Sequence, residues 1–85
     1  MSVYVDKAIH PYGRMKMCHM LADTQDELHT MAAKIGIQRK WFQNRSAGWH
    51  YDICQSKRDL AVKLGAVEVD SRKLIELVRK QRKIL

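Results

Sequence analysis

The chain has only two cysteines among 85 residues, too few for a disulfide framework. Cys18 and Cys54 do not form a CxxC pair, and both have apolar neighbours, where a thiol usually serves as a small buried hydrophobe. No HxxxH, HExxH or paired Cys/His spacing is present, so the familiar zinc motifs are excluded. Walker loops, GxSxG elbows and zinc-finger patterns are missing as well. No apolar run approaches the roughly 20 residues needed to cross a bilayer, and no basic-then-apolar leader is seen. These absences lead to an expectation of a cytoplasmic protein with no membrane partner.

Acidic residues are also scarce. Sixteen Lys and Arg stand against nine Asp and Glu, a formal charge of +7. Such a field concentrates phosphates and other anions near the surface, although surplus charge also serves simple solubility. A hydrophobic fraction of 46% argues against wholesale disorder. A chain of this size makes one domain, spanning 1–85, and buries only about 60–65% of its unfolded surface. The thin core makes a homo-oligomer the expected state.

Val3, Tyr4 and Val5 favour a strand ending at Asp6. The next stretch, Lys7 to Arg14, holds the only proline, Pro11, together with Gly13, and reads as a loop. Met15 to Met20 suits a second strand. Asp23 and Thr24 open a helix in which Thr24 and Glu27 have capping-box spacing, Leu28, Met31, Ala32 and Ile35 form the apolar stripe, and Gly36 ends it. Ile37 to Gln43 reads as a strand, Asn44 to Gly48 as a loop and Trp49 to Cys54 as another strand. Ser56 is expected to cap a helix that closes at Gly65. A short strand over Ala66 to Val69 precedes a basic amphipathic helix over 71–85. Met31–Ile37 and Leu60–Ala66 are alike at an offset of 29, as two helix–glycine units would be. The alternation predicts an α/β (or α+β) domain, with a short, partly parallel sheet and about three helices.

Two chemistries compete for the polar residues. Asp6, His19, Asp23, His50 and Asp52 are the types that make a mixed carboxylate–imidazole metal site, and His50 and Asp52, two apart in a strand, share a face. Divalent metal is the cofactor under that reading, which implies a metal-dependent nuclease or phosphoesterase. Asp23 also suits a plain helix start, and Asp52 a plain ion pair. The other reading needs no cofactor and no catalysis. Here Arg14, His19, His50 and Arg58 donate to a phosphate-bearing ligand, Ser56 adds a helix-start site, and Trp49 stacks on the ligand. A bland serine cap, core tryptophans and solvated charges explain the same residues structurally. The basic C-terminal helix leaves open a third role, that of a DNA- or RNA-binding accessory protein.

Taken together, Tyr4-Val5-Asp6, Pro11, Gly13-Arg14, Cys18-His19-Met20, Ala22-Asp23 and Glu27-Leu28-His29 make up the first half of a familiar pattern. Trp41-Phe42-Gln43, His50-Tyr51-Asp52, Arg58, Ala61 and Gly65-Ala66-Val67-Glu68-Val69 complete it. Over about residues 2–74 the chain resembles a family of short proteins of unknown function found in bacteria and their phages. The resemblance implies a shared pocket built from those polar residues and supplies no activity. A phage setting would place the protein in the host cytoplasm and suggests a sponge that sequesters a nucleotide immune signal. Non-catalytic binding of an anionic small molecule, most plausibly a nucleotide, is therefore the first expectation, and metal-dependent hydrolysis is the alternative.

Overall fold

A computed structural model describes residues 2–7, 10–12, 15–45 and 48–83. In chain order the elements are β1 (Val3–Asp6), β2 (His10–Tyr12), β3 (Met15–Ala22), α1 (Gln25–Lys34), a 3₁₀ turn (Arg39–Trp41), β4 (Gln43–Arg45), β5 (Gly48–Cys54), α2 (Gln55–Lys63), β6 (Val67–Val69) and α3 (Ser71–Lys83). The sheet runs β4-β5-β3-β1-β6, and β2 pairs with the first half of β3. Only the β1–β6 pair is parallel among the described strands. The mixed sheet with three helices is the expected α/β arrangement.

Strand alternation divides the sheet into two chemically different faces. Val3 and Val5, Cys18, Met20 and Ala22, and Trp49, Tyr51 and Ile53 all belong to one buried core, together with Leu28, Met31, Ala32 and Ile35 of the α1 region and Ala61 of α2. Their even spacing puts Tyr4, Asp6, His19, Leu21, His50 and Asp52 on the opposite face, because successive side chains in a strand point to opposite sides. That second face is covered in part by α3.

Local chemistry explains the helix ends. The Thr24 hydroxyl accepts from Glu27 N and donates to Glu27 Oε1, which caps the start of α1. Ile37 N donates to Ala32 O and Ala66 N to Ala61 O, so the repeated segments form matching helix ends, with Gly36 and Gly65 at positive φ. Asp70, not Ser71, caps α3 by accepting from Lys73 N.

Four local expectations need correction. Asn44, Arg45 and Gly48, read as loop, belong to the paired strands β4 and β5. A strand, β2, lies inside the Pro11 segment read as loop, because that segment folds back as an antiparallel arm on β3. Ile37 to Gln43 is no strand; a 3₁₀ turn intervenes and leaves Trp41 60% exposed. Cys54, not Ser56, occupies the N-cap of α2, and Ser56 falls inside the first turn.

The seating of α3 depends on one close contact. Gln81, 5% exposed, accepts from Trp49 N at 2.9 Å and donates to Trp49 O at 3.2 Å, so its amide substitutes for a neighbouring strand. Next to it, Gly48 has φ +104°, and a Cβ there would lie 2.7 Å from Gln81 Oε1. Gly48→Ala is expected to cost about 2 kcal/mol through backbone strain and this clash. Gln81→Leu should cost about 1–3 kcal/mol by leaving the Trp49 amide and carbonyl unpaired. Urea unfolding midpoints measure both; an unchanged midpoint for Gln81→Leu would refute the strand-substitute role.

Candidate functional site

The site begins with a buried carboxylate. Asp6 has no solvent exposure, and a carboxylate in that position needs donors. His19 supplies two: its backbone N–H donates to Asp6 Oδ1 at 2.8 Å, and its Nδ1 lies 2.7 Å from Oδ2. Because a carboxylate only accepts, Nδ1 carries the proton, and in the neutral ring Nε2 presents a lone pair. Register then brings Asp52 opposite, since His19 and Asp52 are cross-strand partners in β3 and β5.

Asp52 Oδ1 lies 3.8 Å from His19 Nε2 and 3.5 Å from His50 Nε2. His50 is held in the same sense as His19, with a long Nδ1 contact of 3.4 Å to Gly48 O. The other oxygen of Asp52 is fixed by Gln43 Nε2 at 2.6 Å. Oδ1 is shielded from water and has no hydrogen-bond partner among the described residues. The rings of His19 and His50 meet edge to face at 5.3 Å, and the three potential donor atoms of His19, His50 and Asp52 all lie within 4.8 Å of one another. Two imidazole nitrogens and a carboxylate oxygen thus converge on one small region. A cation, either a proton or a metal ion, is what such a convergence attracts.

The electrostatics agree. His50 is the largest influence on Asp52; with Gln43 and the charge of His19 it outweighs partial burial and holds the carboxyl down at about 2. The hydrogen bond to Asp6 raises His19 above its ordinary value despite desolvation. His29, which shares a 2.8 Å hydrogen bond with Tyr51 on the core face, is pushed down by burial and then by Arg39.

Of the residues singled out in the sequence, Asp6, His19, His50 and Asp52 come together. Asp23 does not. It lies four residues along β3 from His19, roughly 13 Å away at strand rise, accepting from Ser2 N and the Tyr4 hydroxyl. Trp49 is 8% exposed and belongs to the core, so it presents no stacking surface. Arg58 is buried, its Nε donating to Asp6 O at 2.9 Å and its NH2 group to Glu68 at 2.9 Å, so its donors are committed away from the histidines. Ser56 is exposed, 3.3 Å from Cys54 Sγ. Arg14 lies outside the described residues. Gln43 is not among the site residues expected from the sequence, although it ends the Trp41-Phe42-Gln43 segment, and Arg79 is one of several cations on the basic C-terminal helix.

A groove of about 380 Å³ adjoins the cluster, lined by His19, Leu21, His50, Leu74, Ile75, Val78 and Arg79. Among the described residues, no helix is long and apolar enough to cross a membrane.

Residues 3–81 match the family described as "Protein of unknown function (DUF4031)", and the chain belongs to that family. No curated protein and no solved structure matches the chain.

The hydrogen-bond pattern sets an order of titration. In metal-free protein, His19 should titrate above 6.5 and His29 below it, as read from histidine ring resonances by NMR. The raised His19 value contributes stability that is complete below pH 6.5 and is lost as pH rises through the folded value. Asp6→Asn should bring His19 down toward or below 6.5, and an unmoved His19 titration would contradict the pairing.

Proposed function

We propose that this protein binds one divalent transition-metal ion through His19 Nε2, His50 Nε2 and Asp52 Oδ1, and uses metal-bound water to hydrolyse a phosphate ester. The observation that carries this reading is the His19–His50–Asp52 triangle with Asp6 hydrogen-bonded behind His19. Metal-to-ligand bonds of about 2.1 Å in a tetrahedron put ligand atoms about 3.4 Å apart. The 3.5 and 3.8 Å separations from Asp52 Oδ1 require only small side-chain adjustments to match. A carboxylate holding the far nitrogen of a ligand histidine is also the usual outer partner in such sites, fixing the tautomer and raising ligand basicity.

Three protein ligands leave a position for water, whose proton a bound metal makes easier to remove. That proton would pass to solvent, the hydroxide so formed would attack phosphorus, and the P–O bond to the leaving group would break. The leaving oxygen then takes a proton from solvent, giving an alcohol or phenol and a phosphate with one ester fewer. The net charge of +7 favours arrival of an anionic substrate. Non-catalytic retention of a nucleotide draws less support, because Trp49, Arg58 and Ser56 each face away from the histidines or are engaged elsewhere.

Zn²⁺ or Mn²⁺ should raise the melting temperature, and His50→Ala or Asp52→Asn should remove that shift. With metal, bis(4-nitrophenyl) phosphate should be hydrolysed, and Asp52→Asn should lower the rate by roughly 100-fold or more. If neither metal shifts the melting temperature of the wild type, the proposal fails. Metal binding with recovery of intact phosphate esters would leave a binding protein and remove the catalytic step.

A further inference from the structure

The groove beside the triangle points to the class of ester, an inference that rests on the metal-centred reading. Its lining divides sharply. His19 and His50 line it together with Leu21 from β3, Leu74, Ile75 and Val78 from α3, and Arg79. Ile75 is 55% exposed and lies beside the half-buried Leu74 and Val78 on the same wall. Arg79 makes no hydrogen bond or ion pair among the described residues, whereas the imidazoles of His19 and His50 are directed at carboxylates. Gln81 and Gly48 fix this part of α3 against β5, so the wall is built into the fold.

We infer that the groove holds the apolar body of a small phosphate ester, aryl or alkyl, while its phosphoryl group lies between the metal triangle and Arg79. A guanidinium suits this task because its planar fork can pair two phosphoryl oxygens, while the metal side takes a third. The volume of about 380 Å³ lies near the lower end of small-ligand pockets and suits one ring or a short chain. A nucleobase fits the wall poorly. Leu21, Leu74, Ile75 and Val78 offer its ring edges no side-chain donor or acceptor, and an unmatched polar edge is costly to bury. Arg79 thus acts as a substrate-binding residue and Ile75 as a specificity residue.

Calorimetric titration of the Zn²⁺-loaded full chain with phenylphosphonate (a phenyl phosphate analogue whose P–C bond cannot be hydrolysed), inorganic phosphate and adenosine monophosphate tests this. The phenyl ligand should bind roughly tenfold more tightly than inorganic phosphate, reflecting burial of one ring. Arg79→Gln should weaken both, and Ile75→Ser should reduce only the advantage of the phenyl group. Neither variant should alter the metal-induced melting shift, since neither residue belongs to the triangle. Equal affinity for phenylphosphonate and inorganic phosphate, tighter binding of adenosine monophosphate, or indifference to Arg79→Gln would overturn the inference. A metal shift without phenyl preference would remove the groove assignment and leave the metal reading standing. Phenyl preference without any metal shift would do the reverse.

Discussion

Asp6 is the constraint on which the other site features depend, because a carboxylate without solvent contact persists only where the fold delivers donors to it. Both of its described donors come from one residue, the backbone and the ring of His19. The pairing therefore fixes three things together. It locks β1 against β3 at the site end, it sets the tautomer of His19, and it turns Nε2 toward Asp52. From behind the sheet, Arg58 holds the Asp6 carbonyl and ties it to Glu68, so the end of β1 is gripped from both faces. A slip of one residue between β1 and β3 would carry Asp6 to the core face and destroy all of these contacts at once.

The same strands therefore do two jobs, separated by parity. Odd positions of β5 supply Trp49, Tyr51 and Ile53 to the core, and even positions supply His50 and Asp52 to the other face. In so small a protein the core needs those large residues, which leaves the site to be built from short polar side chains on the reverse of the sheet. What α3 adds is enclosure. Its attachment through Gln81 uses backbone groups of Trp49 just beyond the reach of β3, and Gly48 leaves the space that lets the helix come that close.

Much of this was readable from residues alone. The capping pair Thr24 and Glu27, the helix-closing Gly36 and Gly65, and the shared face of His50 and Asp52 follow from local chemistry and strand periodicity. The wrong grouping of Trp49 with His50 was also avoidable, since neighbours in a strand cannot both face one site. Other features depend on distant partners. Nothing near Arg58 in sequence shows that its guanidinium would be spent on the end of β1. Ser56 resembled a cap because serine favours that position, but the strand runs to Cys54 and the helix begins at once. The Pro11 segment was hidden as a strand because its pairing comes wholly from β3. Ile37 to Gln43 has strand-forming residues without a sheet edge to receive all of them.

One electrostatic tension remains informative. The chain is strongly basic as a whole, yet the site contains two carboxylates, and Arg79, which has no hydrogen-bond or ion-pair partner among the described residues, lines the adjoining groove. A protein that simply trapped phosphate would be expected to turn its guanidinium groups toward the ligand. Here Arg58 is committed to structure, and Asp52 stays ionised down to about 2. An anion approaching this face meets a favourable long-range field and an unfavourable local one, which doubly protonated histidines or a bound cation would correct. Under the proposed reading a divalent metal would supply that correction, at the point where Nε2 of His19, Nε2 of His50 and Oδ1 of Asp52 already converge.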